Sequence, residues 1–175
     1  ELIFAPPEEI ERLALGSTHG GLLCETTDRT IEPLSEESIK RSFPDKGSRF
    51  FAMLEGIEDP YNFGYAIRSL YAAGISALIL TKRNWMSAAG VVCRASAGAS
   101  ADPCETAAVM RALGVKTVCC DMKDSVSIYD ADLKKPLFLA VGGEKRGLSR
   151  ELLGAADAVV RLDYGRGFPA ALSAA

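Results

Sequence analysis

The sequence predicts an α/β fold, a parallel sheet flanked by helices, on three observations. From Arg49 onward, apolar runs of strand length alternate with amphipathic stretches of helix length, the pattern of repeated βαβ units. The runs are almost continuously apolar, as strands buried on both faces must be. Gly74 and Gly114 each stand just before such a run, where a helix C-cap belongs.

Taken in order, residues 1–45 read as an N-terminal extension or linker and residues 46–175 as the sheet domain. The extension holds Pro6-Pro7, a helical pattern from Glu8 to Leu15, a Gly-Ser-Thr-His-Gly-Gly turn from Gly16 to Gly21, and a polar run from Glu25 to Glu37. Strands are predicted at Phe50–Leu54, Ala77–Leu80, Thr117–Cys120, Leu137–Val141 and Ala158–Leu162. Helices are predicted at about Pro60–Ala73, Cys104–Leu113, Val126–Ala131 and Ser149–Ala155, with Asn84–Pro103 a long, partly helical connection. The first of these helices starts with Asp59 as N-cap and Pro60 at the first helical position, where a missing N–H costs nothing. Phe63, Ile67 and Leu70 then recur at i, i+4 and i+7 as its buried stripe.

Composition narrows the function. A chain of 175 residues, 48% hydrophobic and 25% charged, suits one globular domain. No run approaches the roughly 18 apolar residues of a membrane span, and the acidic, Pro-rich start is unlike a signal peptide, so a cytoplasmic, membrane-free protein is expected. Five cysteines without C-x-x-C spacing, among them the strand pair Cys119-Cys120, read as reduced core residues. With His19 the only histidine, and placed in a turn where it reads as a loop hydrogen-bonder, histidine-based nucleophilic relays and zinc clusters lack material, and no metal site is expected.

The net charge of −3 argues, taken alone, against a strongly basic nucleic-acid module. Local clusters counter it: Lys82 with Arg83, Lys145 with Arg146 and Arg150, and Arg161 with Arg166. Each is either a basic face or ordinary solvated surface.

In an open parallel sheet, ligands bind beyond the carboxyl ends of the strands, where Gly-rich turns let the backbone approach. Three such turns follow predicted strands: Glu55 to Gly64, Val141 to Leu148, and Leu162 to Pro169. None has the G-x-G-x-x-G of a dinucleotide fold or the G-K-S/T of a phosphate loop.

The segment D-P-Y-N-F-G-Y-A-I-R-S-L-Y-A-A-G, Asp59 to Gly74, resembles the first motif of the SpoU (TrmH-like) methyltransferases, N-x-G-x-x-x-R after D-P. V-G-G-E-K-R-G-L-S, Val141 to Ser149, is similar to their second motif, G-x-E-x-x-G-[LI]-S. Order, separation and the strand before each agree. Thr18-His19-Gly20-Gly21 resembles the T-H-x-G that joins the family's N-terminal RNA-binding domain to its catalytic domain, and Arg94 to Ala99 resembles its central Ser-Ala-Gly-Ala stretch. The third motif departs from the family's I-P-M, glycine, S-L-N-V-S: here Leu162-Asp163-Tyr164 and Gly165 are followed by Ala171-Leu172-Ser173-Ala174-Ala175, so that Ala171 stands for serine and Ser173 for asparagine.

The resemblance implies a SPOUT-type catalytic domain with a C-terminal trefoil knot, residues 1–45 being the remnant of a substrate-binding domain junction. It implies transfer of a methyl group from S-adenosylmethionine to a ribose 2′-hydroxyl of tRNA or rRNA, by a homodimer whose substrate site is shared. Arg68, Asn62, Glu144 and Ser173 fall in the catalytic set, and Gly142, Gly143, Gly147, Leu162 and Leu172 in the cofactor pocket. A guanidinium stays protonated, so Arg68 is better suited to orienting RNA phosphate and stabilising charge than to acting as a free base. The changes at Ala171 and Ser173 motivate an alternative, a catalytically reduced RNA-binding or ribosome-associated module of the same fold.

Overall fold

A computed structural model describes residues 3–14, 20–21, 23, 32–81 and 98–165. The chain divides into two compact units, Glu1–Thr30 and Ile31–Ala175. The first contains helix α1, Pro7–Leu13, which opens on Pro7 with Glu8 and Glu9 in its first turn and buries none of its residues.

The second unit is the predicted α/β domain. Its strands are β1 (Glu32–Pro33), β2 (Phe50–Glu55), β3 (Ala77–Leu80), β4 (Gly98–Ser100), β5 (Lys116–Cys120), β6 (Val126–Ser127), β7 (Leu137–Gly142) and β8 (Ala158–Arg161). Its helices are α2 (Glu36–Ser42), α3 (Pro60–Ala72), α4 (Pro103–Ala112) and α5 (Arg150–Ala155). The strands form one sheet in the order β1-β4-β3-β2-β7-β5-β8-β6, and every pairing is parallel.

Alternation along each strand explains why the sheet needs cover on both faces. In β2, Phe51 and Met53 join a core with Ile79, Met110, Phe138 and Leu152. Ala52 and Leu54 point the other way, into a cluster with Phe63, Ala66 and Ile67 of α3. A third cluster gathers Phe50, Val118, Leu137 and Val160. The predicted stripe of α3 is thus buried at Phe63 and Ile67, with Leu70 packed at its margin.

The caps are as predicted. Asp59 accepts the N–H groups of Tyr61 and Asn62, each at 2.8 Å, ahead of Pro60. Gly74 and Gly114 have φ of 76° and 67°, the left-handed conformation that closes a helix.

Three segments differ from expectation. Val126–Ala131 is not a helix: Val126–Ser127 forms an edge strand pairing with Val160 and Arg161, and a turn follows. A β-branched residue beside an otherwise open edge of β8 is better satisfied by ladder hydrogen bonds than by a single helical turn. The connection ending at Pro103 finishes as a strand, Gly98–Ser100 against Leu78–Leu80, with Asp102 capping α4; residues 82–97 lie outside the described residues. Residues 31–45, assigned to the extension from sequence, carry α2, whose Ile39 is buried in the sheet core. Arg49, 2% exposed, secures that helix by donating from Nε and Nη2 to the Phe43 carbonyl at 2.9 and 2.7 Å.

Candidate functional site

Because the sheet is parallel, the carboxyl ends of its strands share one rim. From β2 the chain proceeds outward through β3 and β4, whereas β7, β5 and β8 lie on the other side of β2. The β2–β7 boundary is therefore a switch point, where the loops leaving two neighbouring strands diverge and open a crevice. The pairing of Glu55 with Gly142 brings the ends of both strands level.

A cleft of about 120 Å³ opens there, lined by Gly56, Ile57, Glu58, Asp59 and Asn62 from the β2 side and by Gly143, Glu144 and Lys145 from the β7 side. Two segments far apart in sequence thus form one wall each. A volume this small accommodates part of a ligand, since whole small-molecule sites run to roughly 300–1,000 Å³. Lys145 bridges the walls through a 2.9 Å ion pair with Glu58.

The glycines after β7 are required by close approach. A β-carbon on Gly142 would lie 2.4 Å from the carbonyl carbon of Gly147, and one on Gly143 would lie 2.2 Å from the Gly56 oxygen. The loop closes on itself through the Gly147 N–H, which donates to the Gly143 carbonyl at 2.8 Å. Within it, Glu144 is exposed.

Asn62, Glu144 and Gly143 meet in the cleft, with Gly142 and Gly147 in the loop behind it. Arg68 does not line it: it lies farther along α3, on the exposed face. Leu162 is 42% exposed just past β8, on the same rim but outside the cleft lining. Leu172 and Ser173 fall outside the described residues. In the third turn, Asp163 is held below the usual carboxylate range, first by the Ser127 hydroxyl and then by Arg161, which donates to it at 2.8 Å. Arg161 and Lys145 are therefore engaged in ion pairs, while Arg146 and Arg150 are exposed beside the second turn.

Sequence reasoning overlooked Glu58, Ile57 and Lys145 in the lining, and the role of Glu55. The carboxylate of Glu55 accepts both the N–H and the hydroxyl of Ser149, at 3.0 and 3.3 Å. Only the position of Glu55 next to a glycine at a strand end hinted at it. Among the described residues, no group of three metal-ligating side chains is assembled, and no helix is long and apolar enough to cross a membrane.

These features define an α/β protein with a candidate ligand cleft at the switch point of a parallel sheet, built from two glycine turns. Residues 49–169 match the SpoU rRNA Methylase family, and the chain belongs to that family. It is 30% identical over 149 residues to the 23S rRNA (guanosine-2′-O-)-methyltransferase RlmB of Shewanella oneidensis, covering 81% of this chain and 60% of that protein. Among solved structures, an AdoMet-bound rRNA methyltransferase from Sinorhizobium meliloti superposes with a TM-score of 0.66 at 28% identity, over 82% of this chain and 56% of that one. The SpoU methyltransferase AviRb of Streptomyces viridochromogenes shares the fold, with a TM-score of 0.63 at 22% identity over 78% of this chain and 57% of its own. The chain thus spans little more than half the length of these relatives.

Proposed function

We propose that the protein transfers the methyl group of S-adenosylmethionine to a ribose 2′-hydroxyl of rRNA or tRNA. The observation that carries this is that one cleft at the rim of the sheet is lined by both Asn62, from the first motif, and Glu144, from the second. The naming of the Shewanella relative as a 23S rRNA 2′-O-methyltransferase and the AdoMet bound to the Sinorhizobium neighbour support the same reading.

The residues present suit the cofactor. Three acidic residues, Glu58, Asp59 and Glu144, are among the lining against one lysine, which already pairs with Glu58. Such a surface favours a ligand bearing a sulfonium and an ammonium. Bound there, S-adenosylmethionine supplies an electrophilic methyl group, and no metal is needed. Gly142, Gly143 and Gly147 keep the second turn narrow enough for backbone contact, and the resemblance of the third motif nominates Leu162 and Leu172 as further cofactor-binding residues. Asn62 can donate and accept across the cleft, tying substrate to the Glu144 loop. Arg68, on the open face of the same helix, binds the RNA phosphate and steadies charge as the hydroxyl loses its proton. Ser173, nominated by the third motif, completes the catalytic set, and the protein works as a cytoplasmic homodimer.

Calorimetry with S-adenosylmethionine, followed by transfer of labelled methyl to rRNA and tRNA and mapping of the ribose 2′-O-methyl product, tests the proposal. Absence of cofactor binding sinks it. Cofactor and RNA binding without product would instead establish the catalytically reduced module that Ala171 and Ser173 suggest.

A further inference from the structure

Glu55 ends β2, and its two acceptors hold a loop from the other half of the chain. Its backbone carbonyl accepts the Gly143 N–H at 2.7 Å. Its Oε2 accepts the Ser149 N–H at 3.0 Å and the Ser149 hydroxyl at 3.3 Å. One residue therefore grips both ends of the turn that carries Glu144, and between the grips the turn is closed by the Gly143–Gly147 bridge.

Ser149 gives the second observation. It is the N-cap of α5, a position from which a serine hydroxyl ordinarily accepts an N–H of its own helix. It makes no such bond, and its hydroxyl donates to Glu55 instead. The side chain best placed to cap α5 is spent on a contact between two strand ends. The sheet does not depend on that contact, because β2 and β7 are already registered from Phe50–Leu137 through Glu55–Gly142 by backbone pairing. What it fixes is the turn beyond the sheet.

We infer that Glu55 and Ser149 are positioning residues, a latch that holds the 143–149 turn, and Glu144 with it, in the register that binds S-adenosylmethionine. The inference rests on the methyltransferase reading above. Neither side chain need touch the cofactor: each acts through the turn.

The test is calorimetry with S-adenosylmethionine on the full chain, together with amide hydrogen exchange. Glu55→Ala is expected to weaken binding about tenfold, the order lost with a hydrogen bond to a charged group, and Ser149→Ala by less, because its backbone N–H still donates to Glu55. The double variant is expected to lose little more than Glu55→Ala alone, because the hydroxyl bond that Ser149→Ala removes is already lost with the Glu55 carboxylate. Glu55→Gln, which retains an acceptor oxygen, is expected to recover most of the affinity. In Glu55→Ala, amides of residues 143–149 are expected to exchange faster while those of Ala52 and Met53 stay protected, which a general loss of stability would not produce. Wild-type binding that both alanine variants share, or losses that add in the double variant, overturns the latch alone. A wild-type chain that does not bind S-adenosylmethionine overturns the functional reading and the latch's role with it.

Discussion

Gly143 and Gly56 stand so close across the β2–β7 boundary that a β-carbon on the first would lie 2.2 Å from the carbonyl oxygen of the second. The obstacle is backbone on both sides, so no side chain can swing away to make room. Gly143→Ala must therefore separate the two walls of the cleft. Overpacking of this kind costs about 1–3 kcal/mol. Calorimetry is expected to show S-adenosylmethionine binding weakened at least tenfold, with a lowered melting temperature. Gly154→Ala is the matched control: nothing lies within 4 Å of its added β-carbon, and it sits in α5, where alanine is favoured by about 0.5–1 kcal/mol. A Gly143→Ala variant that bound cofactor as tightly as Gly154→Ala would show that the turn plays no part in the pocket.

Arg68 is exposed on α3 and outside the cleft lining, which separates its proposed role from that of Glu144. Replacement by alanine should leave cofactor affinity unchanged while lowering kcat by about 10²–10³-fold, the scale of losing one preorganised charge-stabilising donor. Arg68→Lys should recover little, because a point charge lacks the guanidinium fork. A parallel loss of S-adenosylmethionine affinity would instead make Arg68 a support of the cofactor loop.

How far the sequence foretold this arrangement depended on the range of the interactions involved. The central strands were legible because Phe50–Leu54, Leu137–Val141 and their kin are apolar on both faces, and α3 because Asp59, Pro60 and a buried stripe announce it. Strands of two or three residues carry no period to read; the open edge of β8 makes Val126–Ser127 a strand, as the edge of β3 does Gly98–Ser100. The same limit governed the site. Asn62, in the first turn of α3, and Glu144, in a glycine turn, were nominated by the resemblance of their segments to two family motifs, whereas Glu55 and Ser149 are 94 residues apart and meet only through the β2–β7 pairing. The ion pair of Glu58 with Lys145 is likewise made across that boundary, and from sequence Lys145 stood only in a cluster readable as a basic face or as solvated surface.

Asp59 serves both the fold and the site, because its carboxylate caps α3 while its neighbours line the cleft. Asp59→Ala leaves the N–H groups of Tyr61 and Asn62 without that acceptor. A cost of about 1 kcal/mol is expected, appearing in thermal denaturation as a fall of roughly 2–4 °C. Asp59→Asn or Asp59→Ser should restore most of it, since either side chain can accept the same bonds. An unchanged melting temperature in the alanine variant would mean that packing of Phe63 and Ile67 alone fixes the helix start.

Cys119 and Cys120 make stability depend on alkaline pH. Burial, with the Cys120, Glu55 and Asp121 charges adding, pushes the Cys119 thiol up to about 12, and burial pushes Cys120 to about 11. Released by unfolding, both return to the ordinary value near 9. Below pH 9 both states hold these protons and the thiols impose no pH dependence. Above it the unfolded chain loses protons that the folded chain retains, so the unfolded state binds fewer and stability falls as pH rises from about 9 toward 11 and 12. Chemical denaturation measured at pH 8, 9 and 10 should show that decline, and Cys119→Ala should flatten part of it, isolating the contribution of that thiol. At pH 8 the Cys119→Ala variant should differ from wild type only by lost packing and the weak bond from Sγ to the Leu152 carbonyl at 3.7 Å. Equal slopes in the two proteins above pH 9 would show that the thiolate is accommodated within the folded sheet.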